Sequence, residues 1–146
     1  MVSIPCPKTS KDILALLLRI SFGFSLLLVG ISHYMTFEGF KGMTVDGLPP
    51  YLEIPATLWA YVLPALMIIG GGMVVVGRYM PIATWIVGIA LGSIPVGMLL
   101  KPVLTGVSLS DIMPMVIDSF IWMILFVLVV KLTSFGEYEE EEDDDE

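Results

Sequence analysis

Four blocks of apolar residues divide the chain: Ile13–Ile31, Ala56–Val76, Ile82–Leu100 and Ile112–Leu132. Each is close to the ~20 residues that a helix needs to cross ~30 Å of hydrocarbon at 1.5 Å per residue. Polar residues, glycines and prolines separate the blocks, so the pattern predicts four membrane-crossing helices with no room for a separate soluble domain. The expected fold class is all-α, an integral membrane four-helix bundle over residues 1–136. The acidic tail, residues 137–146, has no apolar periodicity and repels itself, so it is expected to be disordered.

Along each helix one stripe at the 3.6-residue period differs from its apolar surroundings. On the first it is Arg19, Gly23, Leu26, Gly30 and His33; on the second, Met67, Gly71, Val74 and Arg78, with Gly70 and Gly72 beside it. The third carries Trp85, Gly88, Gly92 and Pro95, and the fourth Asp111, Met115, Asp118, Trp122 and Leu125. Helices in lipid gain little by hiding leucine from leucine, and close approach through small residues drives their packing. The stripes are therefore expected to face one another, which turns the titratable side chains inward.

Asp118 carries most weight in that arrangement. A charged side chain in hydrocarbon costs roughly 2.5–3.5 kcal/mol on insertion scales, so it needs a partner, a proton or a wet pocket. Arg19 enters from one membrane face and Asp118 from the other, so their depths differ by well over ~10 Å at a 1.5 Å rise and a direct salt bridge is not expected. Arg19 should instead snorkel to the nearer headgroups. His33 is the better partner for Asp118, at the end where Lys101 and Asp111 also lie. Pro64 and Pro95 fall in the same half, with Trp59, Tyr61 and Trp122 in or near it. These residues predict an outward-facing polar pocket around Asp118 and His33. The alternative has Asp118 protonated onto neighbouring backbone, His33 among headgroups, and Trp59 and Tyr61 as interfacial belt residues.

The connections refine the topology. Ser32–Pro55 is the longest; its glycines and prolines argue against a long helix, and its Phe, Met and Tyr residues suit a lid over the helix ends. Gly77–Pro81 reads as a tight turn with Pro81 opening the third helix, and Ser108, Ser110 and Asp111 as N-cap residues for the fourth. The first helix is too long for a signal-peptide core and is expected to remain uncleaved. With the N-terminus in the cytoplasm, Lys8, Lys11, Arg78 and Lys131 are inside and Lys41 and Lys101 outside. Both termini are then cytoplasmic.

Composition sharpens this picture in two places. Of 146 residues 56% are hydrophobic, more than a soluble domain of this size can cover. The formal net charge of −8 sits mostly in the tail, and nothing suggests a nucleic-acid partner. Cys6 is the single cysteine, so thiol–disulfide exchange within one chain is excluded. No metal-ligating cluster or covalent cofactor attachment is expected. The bilayer itself, a membrane or redox protein and a homo-oligomer are the partners to consider.

Several of these residues resemble the DoxX/DoxD family of small four-helix membrane proteins. The first helix has Arg19-Ile20-Ser21-Phe22-Gly23, then Gly30 and His33; Gly47-Leu48-Pro49 follows in the loop, and Gly70-Gly71, Gly77 and Arg78 close the second helix. The chain departs from the family at Met67, where an acid is often found. The resemblance implies a multipass plasma-membrane protein, in some members a subunit of thiosulfate:quinone oxidoreductase. His33 and Asp118 are then the candidate catalytic residues, and Arg19, His33 and Trp122 the candidate contacts to a quinone. The competing expectation is a non-catalytic scaffold, or an assembly or stress factor, whose glycine faces dock partner helices.

Overall fold

A computed structural model describes the backbone of residues 9–143 and the side chains of residues 9–133. It is all-helical: α1 Ser10–Met35, α2 Phe37–Val45, α3 Pro50–Val76, α4 Met80–Thr105 and α5 Leu109–Asp143. The four apolar blocks fall inside α1, α3, α4 and α5, each long and apolar enough to cross a membrane. The protein is a multipass membrane bundle.

Local chemistry sets the helix ends. Thr9 caps α1 through a reciprocal box, its hydroxyl accepting from the Asp12 amide while the Asp12 carboxylate accepts from the Thr9 amide at 2.9 Å. Of the connection expected between the first two spans, the beginning completes α1 and the end, from Pro50, opens α3. The short helix α2 lies between them, and only Thr36 and residues 46–49 fall outside the helices. Pro50 and Pro81 occupy first-turn positions, where a missing N–H leaves nothing unsatisfied. Gly77 ends α3 in the left-handed region at φ 71°. α5 continues into the acidic segment as far as Asp143, and residues 144–146 lie outside the described residues.

The spanning helices form a closed ring of antiparallel neighbours, α1 against α3, α3 against α4, α4 against α5 and α5 against α1, with α2 laid over α3. The tightest seam is α1–α3. A Cβ on Gly71 would stand 2.6 Å from the Gly23 carbonyl oxygen, and one on Gly30 2.8 Å from that of Pro64. Leu26, Met67, Val74, Val87 and Val129 fill the core. Phe22 sits between Trp122 and Phe126, with ring centroids 5.8 and 5.9 Å away.

The expected stripes hold on α1 and largely on α3, and hold only in part on α4 and α5, where Pro95 is buried and Trp122 and Leu125 pack on the core. Trp85 is 74% exposed, and a Cβ on Gly92 would meet nothing within 4 Å. The buried face of α4 is Ala83, Val87, Ala90, Leu91 and Pro95. On α5 it is Ile112, Val116, Ser119, Phe126 and Val129, while Asp111, Met115 and Asp118 are exposed. The close approach between α3 and α4 comes from Gly70, whose Cβ would meet Val87 Cγ2 at 2.6 Å, and not from the Gly88–Gly92 pair. On helices apolar all round, the small or polar stripe does not set the rotation.

Candidate functional site

The ring encloses unfilled space at the end that carries α2. A cavity of about 710 Å³ opens there between the last turns of α1, the first half of α3, the second half of α4 and the start of α5, roofed by α2. That volume falls within the range of small-molecule sites. Its wall is mainly apolar, with Phe40, Leu52, Trp59, Leu63, Met67 and Ile94 among its members. The polar groups on it are few: His33, Lys101 and the hydroxyls of Ser32, Thr36, Thr44 and Ser93.

His33 is held on two sides. Its Nδ1 lies 2.6 Å from the Val29 carbonyl oxygen, which can only accept, so Nδ1 carries the proton. In the neutral ring Nε2 is then an acceptor. The Phe40 ring of α2 meets the imidazole edge-on, with centroids 4.2 Å apart at 86°. Among the described residues no hydrogen bond reaches Nε2, and it is not closed off by burial. Lys101 is the second anchor. Its Nζ donates to the Met43 carbonyl oxygen at 2.8 Å and ties α4 to α2, leaving two ammonium hydrogens for other acceptors. Lys101→Met should free α2, at a cost of about 1 kcal/mol. In hydrogen exchange, amides of 37–45 should then exchange faster while the four spans keep their protection.

The remaining serines and threonines turn their hydroxyls back onto their own helices. Ser32 donates to Val29 O, Ser93 to Ala90 O and Thr44 to Lys41 O, each at 2.8 Å. Toward the cavity such groups present oxygen lone pairs. The α1–α2 corner is fixed separately, by Tyr34 Oη donating to Tyr61 O at 2.6 Å and by Phe37 packing on the Tyr61 ring.

Of the four residues singled out from sequence, only His33 lines this cavity. Asp118 is exposed on the outer face of α5 and has no hydrogen bond or ion pair among the described residues, so the expected His33–Asp118 pair does not form. The reason is rotational: neighbouring Ser119 takes the inward position, its hydroxyl on Val116 O at 2.7 Å. Trp122 packs on Phe22, roughly 16 Å along α1 from His33 at 1.5 Å per residue. Arg19 is at the opposite end of the bundle, where its guanidinium lies against Gly77 at the end of α3. Its Nε is buried without a hydrogen-bond partner, while the guanidinium lies at the level where α3 ends. The carbonyl end of a helix carries partial negative charge, which suits the cation.

Sequence reasoning placed Lys101 and Trp59 at the correct level and left the other wall residues of α3 and α4 unassigned. Among the described residues no three of His, Cys, Asp and Glu converge on one point. The donors and acceptors available to a bound molecule are therefore His33, Lys101 and the hydroxyls. No family model, curated protein or solved structure matches the chain.

Proposed function

We propose that this is a DoxX/DoxD-like protein of the plasma membrane, with the α2 end outside and both termini cytoplasmic, whose cavity takes the head group of a membrane quinone. In this reading it is the membrane subunit of a quinone-linked oxidoreductase of the thiosulfate:quinone type. The supporting observation is the 710 Å³ apolar cavity with an anchored imidazole and an ammonium on its wall. A quinone head group needs an apolar slot, hydrogen-bond donors for its carbonyl oxygens and a group that exchanges protons.

Reduction of a quinone to a quinol takes up two electrons and two protons. His33 can carry one proton on Nε2 while Nδ1–H stays on Val29 O, Lys101 can hold the other carbonyl oxygen by a hydrogen bond without leaving Met43, and the second proton enters from water. The electrons come from a partner redox protein docked at the membrane surface. A second reading, a non-catalytic scaffold, draws support from one feature, the lipid-facing position of Asp118.

Extraction in a mild detergent, with bound quinone and stoichiometric partners identified, tests the first reading. Quinone and a redox subunit are expected together. His33→Ala should weaken a short-chain quinone roughly tenfold, equivalent to about 1.4 kcal/mol for a lost hydrogen bond. A quinone-free preparation whose binding is unmoved by His33→Ala would overturn it.

A further inference from the structure

Asp118 sits where a lone carboxylate has least reason to be. It is exposed, and its neighbours Met115, Ile117 and Ile121 are apolar and 45%, 54% and 50% exposed. Phe22 of α1 packs between Trp122 and Phe126, which sets the register of the two antiparallel helices. Asp118 is then roughly 9 Å from the Phe22 level toward the α2 end, at 1.5 Å per residue. Phe22 is midway along α1 and Asp118 lies within the apolar span Leu109–Thr133, so with a hydrocarbon half-thickness of about 15 Å the carboxyl falls inside the apolar layer. Aspartate is too short to reach water as lysine and arginine do. A carboxylate that stays there needs a partner.

The same flank of the bundle carries another acceptor. Gly23 and Gly30 face α3, and Phe22 faces α5. Ser25 continues the Phe22 row at the helical period, toward the α1–α5 seam. Ser25 donates to Ser21 O at 2.8 Å. Its hydroxyl proton is thus committed within α1, and the seam presents only oxygens: a hydroxyl lone pair and a carboxylate. Its complement is a donor, and next to a carboxylate the best donor is a cation.

We propose that the α1–α5 seam at Asp118 is the docking surface for a transmembrane helix of a different protein, one that carries a lysine or arginine at the depth of Asp118. A second copy of this chain does not supply that residue. Lys11, Arg19, Arg78 and Lys131 lie at the end of the bundle away from α2, whereas Lys41 and Lys101 lie at the α2 end, with Lys101 held on Met43. A parallel neighbour would bring its own Asp118 to this depth, carboxyl against carboxyl. The inference concerns the lipid-facing flank and stands whether or not the cavity holds a quinone.

The test uses the full chain, fluorescently labelled in phosphatidylcholine vesicles, and two synthetic polyleucine transmembrane peptides. One has a single lysine at the matched depth; the other has leucine throughout. Energy transfer should show the lysine peptide binding at least tenfold more tightly, and Asp118→Leu should abolish the difference. Asp118→Asn, which keeps the acceptor oxygen and removes the charge, should retain only part of it. Melting curves should show both variants folded, since residue 118 is exposed and makes no hydrogen bond among the described residues. Equal binding of the two peptides, or a preference that survives Asp118→Leu, would overturn the proposal. So would Asp118-dependent energy transfer between two labelled copies of the chain, which would make the occupant a second copy.

Discussion

Gly71→Leu is expected to break the bundle under conditions in which the parent chain stays folded. Even a single added carbon at this position would stand 2.6 Å from Gly23 O, 2.9 Å from Leu27 N and 3.1 Å from Leu26 Cβ. Two of those atoms are backbone, so no rotamer change relieves the clash, and α1 and α3 must part. Extra methylenes in a packed core typically cost about 1–3 kcal/mol, and leucine at a backbone crossing belongs at or above the top of that range. The adjacent glycines provide graded controls. A Cβ on Gly70 would meet Val87 Cγ2 at 2.6 Å and Ile86 Cγ2 at 3.0 Å, which are side-chain and not backbone atoms, although Val87 is buried and stiff at χ1. Gly70→Ala should therefore cost less than Gly71→Leu, about 1–2 kcal/mol. Gly72 has nothing within 4 Å of its Cβ position. Gly72→Ala should be neutral, or stabilising by up to about 1 kcal/mol, as alanine replaces glycine inside a helix. Reversible unfolding in mixed detergent micelles reads all three. Gly23→Ala combined with Gly71→Ala should cost less than the sum of the two, because both open the same crossing. A Gly72→Ala variant as damaged as Gly71→Ala would show that the α1–α3 contact lies elsewhere.

The contrast among these three glycines also shows how far the chain can be read without coordinates. Helix number, span and order follow from block length, because a bilayer of fixed thickness leaves little choice. Rotation follows only where the stripe itself makes the contact. On α1, Gly23 and Gly30 are backbone crossings, so the row that contains them faces inward and carries His33 to the cavity wall. On α5 the inward row is built from Ile112, Val116, Phe126 and Val129, which differ from their lipid-facing neighbours in nothing that periodicity can detect. Placing Asp118 inward assumed that a polar residue chooses protein over lipid. Ser119 satisfies that rule one position along, and Asp118 is left outside. α2 leaves only a weak trace in the sequence because Gly39 and Gly42 weaken its pattern and it is only nine residues long. The cavity is a gap between four helices whose size depends on how far their ends splay, and one-dimensional spacing holds no record of that distance.

Because Gly23 and Gly71 do not line the cavity, filling it should not disturb the crossing they make. Ser93 lies half-buried on the α4 wall, and its hydroxyl is already satisfied by Ala90 O. Ser93→Trp would place an indole in the ligand volume while removing one intrahelical hydrogen bond that the helix does not need. Thermal stability should be unchanged or slightly raised, because the ring gains dispersion contacts in space that is otherwise empty. Binding should respond differently to the variants at Ser93 and His33. A short-chain quinone and its deoxy hydrocarbon analogue should bind the parent with roughly tenfold discrimination, the ratio expected for one hydrogen bond of about 1.4 kcal/mol. His33→Ala should remove the discrimination and still admit both molecules, since it widens the cavity. Ser93→Trp should exclude both by tenfold or more. Titration of the two ligands into the parent and the two variants, followed by calorimetry or tryptophan quenching, separates the volume of the site from its chemistry. If Ser93→Trp binds the quinone as the parent does, the ligand is not in this cavity, whatever His33 contributes.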